Sequence, residues 1–217
     1  MSQNDQQDIR KLREAASGCL SPLDLRHTER VVALCGEFAG ENSSAPLNLP
    51  LLIKAAWIHD VAKRGAGSKH AEPTRVIAAL AEASPELAHD FMDWEERERI
   101  LTIVASHKGA FEPSCCELES AVLRVCDKLD KYQKAEDRYR AAKSEYELAR
   151  ETYAKDDPRR VKAKKKLREA EKKLSLGAAA VEESCAKSLL RIEQSGLLSD
   201  GDCRRVARFV RGRLPNP

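Results

Sequence analysis

The chain has 217 residues, 42% hydrophobic and 34% charged, which is enough apolar material for one ordinary domain or one domain with an extension. Aromatics are only 5% while Ala and Leu recur throughout, so an all-α protein is favoured over a sheet protein. The longest strongly apolar stretch, Leu49–Ile58, is too short to cross a bilayer, and the polar N-terminal segment carries no secretory pattern; a cytoplasmic protein with no membrane partner is expected.

The segments read as helices in chain order. Ile9, Leu12 and Ala16 make a short amphipathic start ending at Gly18. Ser21-Pro22 is a cap followed by a first-turn proline, and the helix after it carries Leu25, His27, Val31, Leu34 and Phe38. Gly40 and residues 41–46 form a loop. Pro50 opens a helix apolar nearly all round, which places it in the core and runs it to the break at Gly65 to Ser68. A further helix starts at Pro73, Pro85 interrupts the pattern, and another helix from about Trp94 reaches His107; Gly109 and Pro113 mark a loop, and helix resumes near Glu117.

Residues 131–175 differ from the rest. They hold 16 Lys+Arg against 9 Asp+Glu, although the whole chain is only +3. Tyr132, Tyr139, Tyr146 and Tyr153 recur every seven residues, with Ala135, Ala142 and Ala149 three after the first three. Asp156-Asp157-Pro158 is a turn, and Ala163, Leu167, Ala170 and Leu174 stripe the return. A long antiparallel helical hairpin follows, each arm projecting about 30 Å. Three parts are therefore expected: a helical core over 1–131, the hairpin over 132–176, and, beyond Gly177, two C-terminal helices separated near Gly196 that pack back over 177–217. The Tyr/Ala stripe suits a homodimer or partner helix, the basic run Arg159 to Lys166 suits nucleic acid less strongly, and a self-packed hairpin with a solvated face is the plain alternative.

The seven Cys are odd in number and lack metal-knuckle spacing, which argues against a disulfide framework; Cys115-Cys116 could bind a soft metal or oxidise, or simply flank a helix. The five His are few enough to weigh singly. His59-Asp60 ends the apolar helix, where a charged pair must be compensated by a metal ion or by an Arg or Lys partner. His27 lies inside its own amphipathic helix, Asp127 ends the apolar run Val122 to Cys126, and His70 and His107 fall between, each near a helix boundary. His89-Asp90 lacks a preceding apolar helix and reads as surface.

The order His27 in LRHTERVV, His59-Asp60 in AAWIHDVAK and Asp127 in VCDKLDK resembles the HD superfamily of metal-dependent phosphohydrolases over about residues 21–131, closest to small bacterial dinucleoside-polyphosphate hydrolases. The stretch from His70 to His107 is long for that group, and the one from Asp60 to His70 is short. The resemblance implies an HD-type helical bundle with a first metal on His27, His59, Asp60 and Asp127. A second ion would sit on His70 and His107, with Asp60 bridging. The ions would be divalent transition metals (Mn, Fe, Co, Ni or Zn), and the substrate a small phosphorylated molecule such as a nucleotide, attacked by metal-activated hydroxide. Asp60, Lys63, His70 and His107 are the expected catalytic group. Lys63 is suited to clamp a phosphate, Lys108 and Lys128 share that role or are merely solvated, and Asp130 is placed to orient a ligand. A di-iron oxygenase on the same ligands, or an interaction scaffold with a structural metal, are the competing readings.

Overall fold

The computed structural model describes residues 1–42, 47–66, 69–107, 118–195 and 199–214, and every regular element among them is helical. The expectations for Lys108, Cys115-Cys116 and Gly196 lie outside these residues.

Local chemistry sets most of the helix starts. Helix α1 (Gln3–Cys19) opens on a capping box: the Ser2 hydroxyl accepts from Asp5 N at 3.1 Å, and Asp5 accepts from Ser2 N at 3.0 Å. Helix α2 (Pro22–Glu41) has Pro at its start and Ser21 accepting from Asp24 N at 3.2 Å. Helix α3 (Leu49–Ile58) is capped by Asn48, and short α4 (Lys63–Ala66) follows it. Helices α5 (Pro73–Ala83), α6 (Pro85–Asp93) and α7 (Arg97–Ser106) precede two long ones, α8 (Leu118–Thr152) and α9 (Pro158–Ser195). Ser199 caps the last, α10 (Asp200–Arg211).

The apolar helix α3 is the centre of the core, packed on α1, α2, α7 and α8, with Leu51, Leu52, Ala55, Ala56 and Ile58 fully buried. It ends at Ile58, earlier than the glycine break predicted from sequence. Val61 N and Lys63 N donate to the carbonyls of Ile58 and Asp60, three residues back, so the chain tightens into turns at the His-Asp pair itself.

Helix α8 runs unbroken from the core into the arm, past the boundary expected at residue 131, and α9 returns unbroken past 176. Gly177 does not end a helix as its residue type suggested. One glycine inside a helix costs about 1 kcal/mol, too little to break one packed along its length, and a Cβ there would stand 3.9 Å from Ala135 Cβ in ordinary contact. In the arm, Ala142 and Ala149 of α8 and Ala163 and Ala170 of α9 are buried between the two helices, with Tyr139, Tyr146, Tyr153 and Leu167 half-buried beside them. The seam that suggested a second copy is thus filled by the chain's own return helix. Val181 of α9 re-enters the core, and α10 closes over it, with Phe209 edge-on to Phe38 at 5.1 Å.

Sequence gave no hint of one anchor. Lys54, on α3, is only 2% exposed, and its ammonium donates to Asp5 at 3.1 Å, to Asp8 at 3.0 Å and to Glu96, beside the Trp94 ring. It ties the first turn of α1 and the start of α7 to the central helix. Replacing it with methionine leaves three carboxylates facing one another. Urea denaturation of Lys54→Met should show a loss of about 2 kcal/mol with an unchanged m-value; a loss below about 0.5 kcal/mol would mean the cluster is ordinary surface charge.

Candidate metal centre

Five imidazoles and carboxylates from four separate elements meet at the ends of the core helices. His27 comes from the second turn of α2, His59 and Asp60 from the turn after α3, His107 from the end of α7, and Asp127 from the third turn of α8; His70 joins them from the segment before α5. All six are at most 3% exposed. Ring centroids lie 5.4 Å apart for His27 and His59, 5.1 Å for His59 and His107, and 5.6 Å for His70 and His107.

Asp60 organises them. Its Oδ2 lies 3.5 Å from His27 Nε2 and 3.7 Å from His59 Nε2, whereas its Oδ1 lies 2.8 Å from His70 Nε2 and 3.8 Å from His107 Nε2. One carboxylate therefore presents each oxygen to a different pair of imidazoles. Two groups able to hold a metal ion result, His27–His59–Asp60 and Asp60–His70–His107, sharing Asp60. Asp127 borders the first, its Oδ1 3.2 Å from His27 Nε2.

The rings are held from behind. His59 Nδ1 donates to the Ala56 carbonyl at 2.7 Å, and His107 Nδ1 to the Val104 carbonyl at 2.5 Å. Each bond fixes the proton on Nδ1 and leaves the Nε2 lone pair facing inward, and neither Nε2 has a hydrogen-bond partner. His27 Nδ1 meets Asp130 Oδ2 at 2.5 Å, and Arg30 clamps the same carboxylate. Buried, inward-facing imidazole lone pairs grouped with a carboxylate are the donor set of a divalent transition metal, so these residues fit such an ion.

The electrostatics agree. Burial holds His59 below its ordinary pKa and pushes His107 down to about 3, so both rings are neutral, as ligation requires. Burial would raise the pKa of Asp60, but the His70 imidazole and the Lys63 ammonium oppose it and keep the carboxyl ionised; Asp127 is held low against burial by His27 and Lys131. For His27, burial is outweighed by Asp127 and Asp130, which raise its pKa.

All six residues expected as ligands are brought together. Lys63 is on the rim, 38% exposed, its Nζ 3.0 Å from Asp60 Oδ2 and 2.9 Å from Asp24 Oδ1. Lys128 lies 3.8 Å from Asp127, and Asp130 stands behind His27. His89 is exposed and outside the site, and its neighbour Asp90 pairs with Lys11. Asp24, Arg30 and Lys131 were missed. Their signal was helical spacing: Asp24 and Arg30 flank His27 by three residues, and Lys131 follows Asp127 by four.

The HD domain family matches residues 24–132, a span holding all six residues of the centre, and the chain belongs to that family of metal-dependent phosphohydrolases. Neither curated proteins nor solved structures gave a match.

Two outcomes follow from the ring geometry. Asp130→Asn removes the charge that orients His27, and metal affinity measured by competition with a chelator should fall about 10–100-fold with helicity retained; unchanged affinity would leave Asp130 without an orienting role. The folded chain keeps His107 neutral down to about pH 3 while an unfolded histidine binds its proton near 6.5, so between these values the unfolded state carries more protons. His59 acts in the same direction, and the opposite contribution of His27 is already complete below 6.5. The Tm in chelator should therefore fall steadily on acidification from pH 6.5, and a flat Tm to pH 4 would contradict the buried neutral rings.

Proposed function

We propose that this chain hydrolyses a phosphoester or phosphoanhydride of a nucleotide or related small molecule. In this reading His27, His59, Asp60 and Asp127 hold one divalent transition metal ion, and Asp60, His70 and His107 hold a second. The observation that carries it is the division of the two Asp60 oxygens between two imidazole pairs, which a purely structural ion pair does not need.

A divalent ion in such a site lowers the pKa of bound water and so supplies hydroxide near neutral pH. The chain's own groups do the rest. The carbonyls of Ala56 and Val104 and the Asp130 carboxylate hold the rings so that no ligand has to reorganise. Lys63 is at the rim with its ammonium facing the centre, and Asp24, itself hydrogen-bonded by the Ser21 hydroxyl at 2.6 Å, keeps it there. That ammonium is placed to neutralise phosphoryl oxygens as negative charge grows on them. No serine or cysteine nucleophile is required.

Phosphate release should be measured on mononucleotides, nucleoside polyphosphates and a phosphodiester with Mn, Co, Ni, Fe or Zn supplied. Activity on at least one substrate, abolished by chelator, and a kcat about a hundredfold lower in Lys63→Ala with metal content unchanged are expected. Hydrolysis indifferent to chelator, or none with any metal, would overturn the reading.

A further inference from the structure

The two helices of the arm differ in charge. Over residues 131–152, α8 carries six Lys+Arg and five Asp+Glu, whereas over residues 159–173 α9 carries nine Lys+Arg against Glu169 and Glu171 alone. Lys166 pairs with Glu145 across the arm, Arg159 pairs with Asp157, and Arg160 donates to the Tyr153 carbonyl. Lys162, Lys164, Lys165, Arg168 and Lys172 are exposed and have no carboxylate partner among the described residues. Ala163 and Ala170 fill the seam, so at about 100° per residue these five side chains occupy the outer arc of α9, away from α8.

These charges do not serve the arm's own stability. Lys162 and Lys165, and Lys165 and Arg168, are like charges three residues apart, and Lys164 and Arg168 are four apart; each such pair destabilises a helix. The first turn of α9 has no acidic residue, although the start of a helix favours negative charge over positive. A ligand of opposite charge turns this repulsion into attraction, and the face selects its kind. Among the described residues no large hydrophobic side chain is exposed between Lys162 and Lys173, so a protein partner or a bilayer finds no apolar anchor there. Helix α9 has no aromatic residue, so unpaired bases find no platform on which to stack. From Lys162 to Lys172 the helix rises about 15 Å, a length over which a duplex passes about four phosphates on each strand.

We propose that the outer face of α9 docks the chain on the phosphate backbone of a double-stranded nucleic acid, without reading its sequence. Lys162, Lys164, Lys165, Arg168 and Lys172 meet phosphates, and the counterions released from the duplex supply the affinity. The contact is to backbone and not to base edges, because α9 stays packed on α8 along the arm and a two-helix body is too wide for a groove that admits one helix. This face holds none of the metal-centre residues, so the inference stands apart from the phosphohydrolase reading.

The test is fluorescence anisotropy of the full chain with labelled duplexes of about 20 base pairs, in about 50 to 200 mM KCl, with probe integrity checked afterwards. The probes are DNA duplexes of two unrelated sequences, an RNA duplex and a DNA single strand. The two DNA duplexes should bind with affinities within about twofold of each other, with a log–log slope of affinity against salt of about −4. Preference for either the DNA or the RNA duplex supports the proposal and names the helix form. The variant Lys162→Gln/Lys165→Gln/Arg168→Gln should bind at least about tenfold more weakly at the lower salt, with a slope flatter by about 3 and a Tm no lower than that of the wild type. Arg138→Gln/Arg140→Gln/Lys143→Gln, which removes the same charge from α8, should stay within about threefold of the wild type. No duplex binding at the lower salt overturns the proposal, whether or not phosphatidylserine vesicles retain the chain, and so does tighter binding to the single strand. Equal loss in the two triple variants overturns it as well, since net charge alone would then explain binding. A Tm that falls in the α9 variant does the same, because those cations would then serve the arm's own folding.

Discussion

Asp60 is the constraint on which the rest of the structure depends. It is a carboxylate only 3% exposed, at the end of the most apolar helix among the described residues, and such a charge is costly unless polar and charged groups beside it compensate it. Four imidazoles and one ammonium gather around it. His27, His70 and His107 come from three other parts of the chain, so the helices have to converge there. Helix α3 stops where it does because the chain turns sharply at His59-Asp60, and that turn puts both side chains inward at the meeting point of α2, α7 and α8.

The scaffold is built to keep those groups still. Carbonyls near the ends of α3 and α7 pin two rings, and a carboxylate on α8 pins a third. The Lys54 cluster ties α1 and α7 to α3. Rigid support of this kind suits a centre whose task is to present ligands, since a loosely held ring would lose affinity for an ion and alignment for a substrate. Helix α8 then links the centre to the arm without a hinge, so the arm's root forms part of the rim.

Much of this could be read from the sequence, for identifiable reasons. The all-helical class followed from 3.6-residue periodicity with a Ser-Pro start, and that cap forms as its chemistry dictates at Ser21. The six candidate ligands stood out because histidine is scarce in this chain and two acidic residues ended apolar runs. The hairpin followed from the heptad of tyrosine and alanine. Other features were hidden for equally physical reasons. The end of α3 at Ile58 depends on turn hydrogen bonds that no residue type announces. Gly177 looked like a helix end because a glycine's local preference is visible and its packing against α8 is not. Lys54 did not stand out, because its three carboxylate partners are 42 to 49 residues away in the sequence. Asp24, Arg30 and Lys131 were spaced correctly around ligands, but charged residues at that spacing are common on any exposed helix.

The most direct test of the central claim is metal content by elemental analysis of protein purified without chelator, wild type beside Asp60→Ala, with circular dichroism on both. The account predicts near-stoichiometric transition metal in the wild type, one or two ions per chain, and its loss in the variant while helicity persists. A wild-type chain that arrives empty and takes up none of Mn, Fe, Co, Ni or Zn on titration would contradict it, and the cluster around Asp60 would then be a buried ion-pair network holding the helices together.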